Sequence, residues 1–191
     1  SAVAKLEATN PDAIYSVVYF PEGGLIAKAM DASSSQVKCL ADYASADPGF
    51  VSTAGEAAAQ NCPVVGVPSP GDFPSGGSFD ADYEKEFGEA PGTWSSYVYD
   101  SVNLLATCVK SAGGFDKTPN ADGSTTAQVD GSTALTKCLN EVKDWEGVTG
   151  SVTIDPANGN RNPATVVVLG TDNNGELHVD QSWAKAVGAP Y

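Results

Sequence analysis

Short apolar runs alternate with turn-forming residues along the first third of the chain. Residues 13–20 (AIYSVVYF) are β-branched and aromatic and lie between two prolines, which predicts a buried strand. Two similar runs, 37–40 and 63–67, predict further strands. Helices are predicted between them. An apolar helix around 25–30 follows the turn of residues 21–24, and a second helix runs from 47 to 59, because Asp47 followed by Pro48 favours a helix start. This alternation indicates an α/β fold with a parallel sheet flanked by helices.

The rest of the chain is helical at first and then returns to strands. Proline, glycine and serine concentrate in residues 68–77 and predict a linker or crossover loop. Apolar residues at helical spacing predict helices at 79–87 and 94–112, each followed by glycine. The later predicted elements are a polar loop at 116–133, a helix at 134–142 and strands at 151–154, 164–169 and 176–179.

Charge and composition exclude several classes of function. Ten Lys and Arg residues against 24 Asp and Glu give a formal charge of −14, and such a surface repels nucleic acids and anionic lipids. His178 is the single histidine and Arg161 the single arginine, so neither a multi-histidine metal site nor an arginine cluster can form. No apolar run approaches the ~18 residues that a membrane span needs. No cofactor and no nucleic-acid partner are predicted.

The four cysteines are Cys39, Cys62, Cys108 and Cys138. Their even number, without a CxxC pair, favours disulfides in an oxidising compartment over a zinc or redox site, and four buried free thiols are the alternative. Cys39 and Cys62 lie near the beginnings of consecutive predicted strands, and a spacing of ~4.8 Å between neighbouring strands suits a disulfide. A Cys108–Cys138 bridge would join two predicted helices across the polar loop.

Candidates for catalysis or ion binding are few. His178 suits general-base chemistry near neutral pH, but its alternating pattern predicts a solvent-facing strand residue, and no G-x-S-x-G motif supplies a nucleophile. Residues 155–160 and 172–175 faintly resemble calcium loops, although hairpin turns explain both. Gly23 and Gly24 either offer amides to an anion or form a tight strand-to-helix turn.

Aromatic residues cluster at the predicted strand ends and helix starts. Tyr19 and Phe20 end the first predicted strand, Asp42 and Tyr43 follow the second, and Trp94 begins the long helix. Ligands of open α/β sheets bind beyond the carboxyl ends of the strands, where aromatic rings supply apolar area and a polar tip. These five residues are therefore the candidate ligand-binding residues. The alternative is that their rings only close the core.

Several longer segments resemble the type I periplasmic binding proteins. They are NPDAIYSVVYFPEGGLIAKAM, PGFVSTAGEAAAQNCPVVGVPSP, the block YEKEFGEAP followed by YVYDSVNLLA, and GVTGSVTIDPANGNR. The likeness is closest to the branched-chain amino-acid (leucine/isoleucine/valine) binding group that serves ABC importers, and it covers residues 1 to about 170. It implies two Rossmann-like lobes, of which this chain resembles only the C-terminal portion, an incomplete clamshell that starts inside a helix.

The resemblance also implies a division of the chain. Residues 1–66 and 163–191 would belong to the second lobe, and residues 67–162 would pack on the first, N-terminal lobe, which is missing. Members of this family work outside the cytoplasm, which agrees with the predicted disulfides.

The resemblance assigns roles to some of the candidate residues. Tyr19 matches an aromatic residue of the second lobe that lies against the ligand, and Trp94 matches one that closes over it. Amino-acid binders hold the ligand ammonium with an acidic residue after the second strand, where this chain has Tyr43 with Asp42 beside it. If Asp42 turns towards the ligand, the ammonium contact is kept. If it does not, the expected ligand is less cationic, such as an aromatic acid, an amide or a polyol.

The expected function is that of an extracytoplasmic solute-binding component of an ABC importer, not an enzyme. It would bind a small molecule, an amino acid or a related compound, in a cleft between lobes and deliver it to a membrane permease. A ligand-sensing receptor domain of the same fold without transport is the first alternative. An α/β enzyme that uses His178 is the second.

Overall fold

The computed structural model of the chain describes residues 2–33, 36–116, 121, 128–129 and 132–188. Its helices, in chain order, are α1 (Ala2–Glu7), α2 (Phe20–Ala32), α3 (Pro48–Ala54), α4 (Glu56–Gln60), α5 (Phe79–Phe87), α6 (Ser95–Ser111), α7 (Ser132–Asn140) and α8 (Gln181–Val187). Its strands are β1 (Ala13–Ser16), β2 (Lys38–Ala41), β3 (Val64–Gly66), β4 (Phe115–Asp116), β5 (Gln128–Val129), β6 (Trp145–Gly147), β7 (Gly150–Val152), β8 (Val167–Thr171) and β9 (Leu177–Val179). Short 3₁₀ turns occupy Tyr43–Ser45, Pro70–Asp72 and Pro74–Gly76.

The main sheet has five strands in the order β1-β2-β3-β8-β9. The pairs β1–β2 and β2–β3 are parallel, so α2 and α3–α4 are crossover helices, as the alternating pattern predicts. The last two strands run antiparallel, β8 beside β3 and β9 beside β8. The sheet is therefore mixed rather than purely parallel, because β8 lies antiparallel to β3 and a short hairpin turn then adds β9 beside β8. The α/β fold class is confirmed.

The first strand is shorter than predicted. β1 ends at Ser16 and α2 already begins at Phe20, so the prediction of one strand over 13–20 is wrong for its last residues. Pro21 explains the difference, because its fixed φ fits the first helical turn and its missing N–H is not needed there. The carbonyl of Tyr19 accepts the first helical hydrogen bond, from the N–H of Gly23 at 2.9 Å.

The helix predicted over 47–59 is divided into α3 and α4 at Gly55, which has a φ of 83° that favours glycine. Asp47 begins α3 as predicted, since its carboxylate accepts a hydrogen bond from the N–H of Gly49 at 2.8 Å. In the core below, Phe50 is completely buried. Gly24 of α2 lies so close to α3 that a Cβ atom there would be 2.8 Å from the carbonyl oxygen of Phe50.

A buried carboxylate joins the β6–β7 hairpin to α6. Asp100 accepts hydrogen bonds from the N–H groups of Val148 at 2.9 Å and Thr149 at 2.8 Å, and from the Thr149 hydroxyl. The guanidinium of Arg161 donates to the carbonyl oxygens of Thr149 at 2.7 Å and Ser151 at 2.9 Å. The hydrogen bonds of Asp100 hold the hairpin turn to α6, and those of Arg161 hold the backbone of Thr149 and Ser151.

One face of α6 is uncovered in the part of the chain that the structure describes. The exposed apolar residues on this helix are Val98, Tyr99, Val102 and Leu105. Val98, Val102, Leu105 and Val109 recur at helical spacing and are the apolar stripe that the sequence predicts; Val109 is buried at 6% exposed. The three exposed residues of the stripe, Val98, Val102 and Leu105, do not pack into the described core. The described helices include none that is both long and apolar enough to cross a membrane.

Both predicted disulfides are present, which rules out the alternative of four free thiols. Cys39 is bonded to Cys62 and Cys108 to Cys138, the second bond joining α6 to α7. Between these helices β4 pairs with β5, so strands interrupt the predicted polar loop at 116–133. The remainder of that loop, at 117–120, 122–127 and 130–131, lies outside the described residues.

Candidate functional site

The loops that follow β1 and β2 meet at the carboxyl ends of these strands, as expected for parallel neighbours. The N–H of Asp42 donates to the carbonyl oxygen of Ser16 at 2.9 Å, which extends the pairing one residue beyond the strands. The hydroxyl of Ser16 donates to the carbonyl oxygen of Leu40 at 3.3 Å. The candidate residues of the first two loops are thereby held at one edge of the sheet.

The side chains of Asp42 and Ser45 both hold the loop after β1. The N–H of Val18 donates to Asp42 Oδ1 at 3.2 Å, and the hydroxyl of Ser45 donates to the carbonyl oxygen of Val18 at 2.9 Å. Asp42 is 7% exposed and Ser45 is completely buried. The carboxylate of Asp42 is therefore directed to the backbone of the neighbouring loop. The sequence alone did not single out Ser45.

Two of the candidate aromatic residues touch, although 51 positions separate them in the sequence. Tyr43 and Trp94 lie edge to face, with ring centroids 5.3 Å apart and planes at 87°, a favourable geometry. The ring of Tyr97 lies 5.8 Å from that of Trp94, and its hydroxyl donates to the carbonyl oxygen of Pro68 at 3.0 Å. Burial raises the pKa of Tyr97, so this hydroxyl keeps its proton. Tyr97 thus anchors the beginning of α6, beside Trp94.

The candidate rings differ in how much of their surface is available. Tyr19 is 74% exposed, Tyr43 56% and Trp94 37%. Phe20 is half-buried and packs on the core, and its ring lies so close to Gly49 that a Cβ atom there would be 2.6 Å away. Three rings therefore present accessible faces at this edge of the sheet, whereas Phe20 lies against the beginning of α3.

His178 lies on β9, between two carboxylates. Its Nδ1 is 3.5 Å from Asp72 Oδ1 and its Nε2 is 3.3 Å from Glu176 Oε2. Since both ring nitrogens face carboxylates rather than a hydroxyl or thiol, this geometry does not activate a nucleophile. The sequence pattern predicted a solvent-facing residue and missed Asp72, which the fold brings to His178 from a distant segment.

A cavity of about 410 Å³ lies beside His178, between α5 and the β8–β9 hairpin. Its charged lining residues are Asp80, Glu84, Glu176 and His178. Burial raises the pKa of Asp80, and the nearby charge of Glu176 adds to this effect. None of the five candidate ligand-binding residues lines this cavity.

One group of described side chains has the donor types for a metal ion. A ligand atom from each of Asp172, Glu176 and His178 lies within 4.8 Å of the other two. The carboxylate of Asp172 accepts hydrogen bonds from the N–H groups of Asn174 and Glu176, both at 2.8 Å, and the bond from Glu176 is the main cause of its lowered pKa. Asp172 thus closes the turn between β8 and β9, as the hairpin interpretation of this segment predicts.

Comparison with known proteins gives a family match along most of the chain. A family model described as periplasmic binding protein matches residues 1–176. No curated protein matches the chain.

Several solved structures share the fold. A leucine-binding protein from Thermotoga maritima is 23% identical with a TM-score of 0.74, and the match covers 94% of this chain and 46% of that one. A branched-chain amino-acid transporter substrate-binding protein from Streptococcus pneumoniae, solved with isoleucine, is 24% identical with a TM-score of 0.68 and coverages of 92% and 45%. A solute-binding protein of an ABC transporter from Rhodopseudomonas palustris, solved with 3,4-dihydroxybenzoic acid, is 23% identical with a TM-score of 0.70 and coverages of 93% and 46%. The chain spans about half the length of these proteins.

Proposed function

Because the chain belongs to the periplasmic binding protein family, we propose that it forms part of an extracytoplasmic solute-binding protein of an ABC importer. The bound solute is a small molecule, and the partner that receives it is a membrane permease. The contact between Tyr43 and Trp94 carries this proposal, because it joins the edge of the main sheet to the beginning of α6 at exposed rings. The disulfides suit a location outside the cytoplasm.

The ligand contacts proposed for this half of the site are the rings of Tyr19, Tyr43 and Trp94. Aromatic side chains bring a large apolar area with few rotatable bonds, so that little side-chain entropy is lost on binding. The half-buried Phe20 supports Tyr19 from the core rather than facing the ligand. No metal and no cofactor take part in the proposed binding.

The proposed division of the chain into two lobes is based on which residues form the five-stranded sheet. Residues 1–66 and 163–191 form the second lobe, since their strands make up the five-stranded sheet. Residues 67–162 pack on a first lobe contributed by further polypeptide. The exposed residues Val98, Val102 and Leu105 support this part of the proposal, because exposed apolar residues that share one helix face are typical of an interaction surface.

Ligand capture would proceed by closure of the two lobes. Tyr19 and Tyr43 lie on one side of the proposed cleft and the residues of the first lobe on the other. A solute that touches both sides stabilises the closed state, because only there does it make its full set of contacts. The permease would then recognise the closed form.

Calorimetric titration of the full-length protein tests the proposal. The ligands are leucine, isoleucine, 3,4-dihydroxybenzoate and a panel of other aromatic acids, amides and polyols. Trp94→Ala should weaken binding of the best ligand by at least about tenfold, which is about 1.4 kcal/mol, without unfolding the protein. Phe87→Ala is the matched control, since it removes an exposed ring on α5 that the proposed site does not include. Equal affinity of Trp94→Ala and wild type would contradict the site. A folded protein that binds no member of the panel would contradict the function.

A further inference from the structure

We propose that Asp172, Glu176 and His178 bind a divalent metal ion of the zinc type on the β8–β9 hairpin. None of the five candidate ligand-binding residues belongs to this group, so the metal site is a second site of the chain. The inference goes beyond the proposed function and does not depend on it.

The register of the hairpin brings the three side chains to one face. The N–H of Asp172 donates to the carbonyl oxygen of Glu176 at 2.9 Å, so these two residues lie opposite each other. His178 follows Glu176 by two positions and shares its face, because successive side chains of a strand alternate. Leu177, between them, is buried on the other face. His178 pairs with Gly170, where an added Cβ atom would have open space.

The distances between the donor atoms suit one metal ion. Two donors bound tetrahedrally to zinc at ~2.0–2.1 Å lie about 3.3 Å apart, and Nε2 of His178 is 3.3 Å from Oε2 of Glu176. A ligand atom of Asp172 lies within 4.8 Å of both other residues. Oδ1 of Asp172 accepts the backbone bonds of the turn, whereas Oδ2 accepts the side-chain amide of Asn174 at 3.2 Å. A carboxylate oxygen has two lone pairs, so Oδ2 keeps one for a metal ion.

A carboxylate from a distant segment orients the ring of His178. Oδ1 of Asp72 lies 3.5 Å from Nδ1, and the Asp72 side chain is 8% exposed. Its carboxylate is held in turn by the N–H groups of Ser69 at 2.9 Å and Val179 at 3.2 Å. A carboxylate at Nδ1 favours the tautomer with the proton on that nitrogen, which leaves the lone pair of Nε2 for a metal. This carboxylate–imidazole–metal arrangement is typical of zinc sites.

The cavity beside the hairpin contains a buried carboxylate oxygen that lacks a partner. Asp80 lines this cavity of about 410 Å³ together with Glu176 and His178. Oδ1 of Asp80 is buried and has no hydrogen-bond partner among the described residues. In the part of the chain that the structure describes, no lysine or arginine forms an ion pair with Asp72, Asp80, Asp172 or Glu176. A bound cation would balance this negative charge.

The donor set decides which class of metal is expected. Ca²⁺ takes about six to eight oxygen ligands and Mg²⁺ an octahedral set of oxygens, so a site with an imidazole and two carboxylates suits neither ion. Zn²⁺ accepts both donor types, and three protein ligands with one water complete its usual four-coordinate shell. Zinc is therefore the expected ion.

Metal titration of the full-length protein, after removal of its metals with EDTA, tests the proposal. Calorimetry with Zn²⁺, Ca²⁺ and Mg²⁺ gives the affinity and the number of ions bound. His178→Gln and Glu176→Gln each remove one ligand. Glu146→Gln is the matched control, since it neutralises an exposed carboxylate on β6, outside the site.

Wild type should bind one more zinc ion than His178→Gln, because any zinc site elsewhere in the full-length protein is common to both. Glu176→Gln should weaken zinc binding at this site by at least about tenfold, and Glu146→Gln should change it by less than about twofold. Ca²⁺ and Mg²⁺ should bind there at least about 100-fold more weakly than Zn²⁺. Zinc should raise the Tm of wild type by more than that of His178→Gln.

Asp72→Asn tests the orientation of the ring. This variant keeps an oxygen for the N–H of Val179 and removes the charge that faces Nδ1, so zinc binding should weaken by about 10–100-fold. The imidazole nitrogen signals in the NMR spectrum that are absent from His178→Gln belong to this ring. In the neutral ring of metal-free wild type they should show a proton on Nδ1 and none on Nε2.

Three outcomes would overturn the proposal. Equal numbers of zinc ions bound to wild type and His178→Gln would leave an ion pair of His178 with its carboxylates only. A ring proton on Nε2 would exclude this nitrogen as the ligand, and Ca²⁺ binding as tight as Zn²⁺ binding would exclude the metal class. Failure of the proposed function is seen in the solute titrations instead and leaves these results unchanged.

Discussion

Replacement of Asp100 by alanine tests whether one buried carboxylate fixes the β6–β7 hairpin to α6. Asp100 is 5% exposed and Thr149 2%, so water cannot readily replace the lost acceptor. The variant would remove hydrogen bonds of 2.9 Å to the N–H of Val148, 2.8 Å to the N–H of Thr149 and 2.6 Å to the Thr149 hydroxyl. The backbone donors of the hairpin turn would be left without their partner.

The expected loss of unfolding free energy in Asp100→Ala follows from the number and kind of these hydrogen bonds. A hydrogen bond to a charged group contributes about 1.5–3 kcal/mol, but bonds that share one acceptor are not additive. Loss of the acceptor also leaves the backbone N–H groups of Val148 and Thr149 unsatisfied, at about 1–3 kcal/mol each. We therefore expect Asp100→Ala to lower the free energy of unfolding by about 3–5 kcal/mol, less than the simple sum of these contributions. A domain with a total stability of about 5–15 kcal/mol would lose a large part of it.

Urea unfolding of the full-length protein, followed by circular dichroism, measures this loss. Asp100→Asn is the matched control, because it keeps the shape and one acceptor oxygen and should lose about 1–3 kcal/mol. The free energy of unfolding should therefore be highest for wild type, lower for Asp100→Asn and lowest for Asp100→Ala. A loss below about 1 kcal/mol for Asp100→Ala, the size found for exposed ion pairs, would contradict this role of Asp100.

Three further predictions concern other parts of the molecule. Replacing both Cys39 and Cys62 by alanine removes a bond that closes a loop of 23 residues, and urea unfolding should show a loss of about 3–4 kcal/mol by the chain-entropy relation. Gly24→Ala would place a Cβ atom 2.8 Å from the Phe50 carbonyl oxygen, so the same assay should show a loss of about 1–3 kcal/mol from overpacking, and an unchanged stability would contradict the close approach of α2 and α3. Burial raises the pKa of Asp80 above its unfolded value of 3.8, so the ionised carboxylate destabilises the folded state at neutral pH. This destabilisation decreases as the pH falls through the folded-state pKa of Asp80. Calorimetry should therefore show a higher Tm for Asp80→Asn than for wild type at about pH 7 and a smaller difference at about pH 4, whereas a constant difference would contradict the role of ionisation.

The fold was largely predictable because its signals are local. The β-branched runs, the Asp47-Pro48 helix start and the glycine helix ends all act within a few residues, and the structure confirms the elements that they predict, apart from the end of the first strand and the division of the 47–59 helix at Gly55. The pairing of Cys39 with Cys62 followed from the proximity of consecutive parallel strands. The beginning of α2 was missed because Pro21 fits a helical first turn as well as the end of a strand.

The candidate site was predictable only as a set of positions. Loops after parallel strands meet at one edge, which places Tyr43 near the loop of Tyr19, but the direction of each side chain depends on contacts between distant segments. Asp42 turns inward because the N–H of Val18, 24 residues earlier, has no strand partner and needs an acceptor. The contact of Tyr43 with Trp94 spans a still longer separation and left no local signal in the sequence.

Hydrogen–deuterium exchange of the full-length protein, with and without its tightest-binding solute, tests the proposed binding site. We expect slower exchange on ligand addition in three segments, at 17–20, 42–46 and 94–96, because the rings of Tyr19, Tyr43 and Trp94 would close on the solute. Segments such as α4, which lies outside the proposed site, should exchange as before. Protection confined to the cavity beside Asp80 and His178, or binding without protection at the three segments, would contradict this binding site.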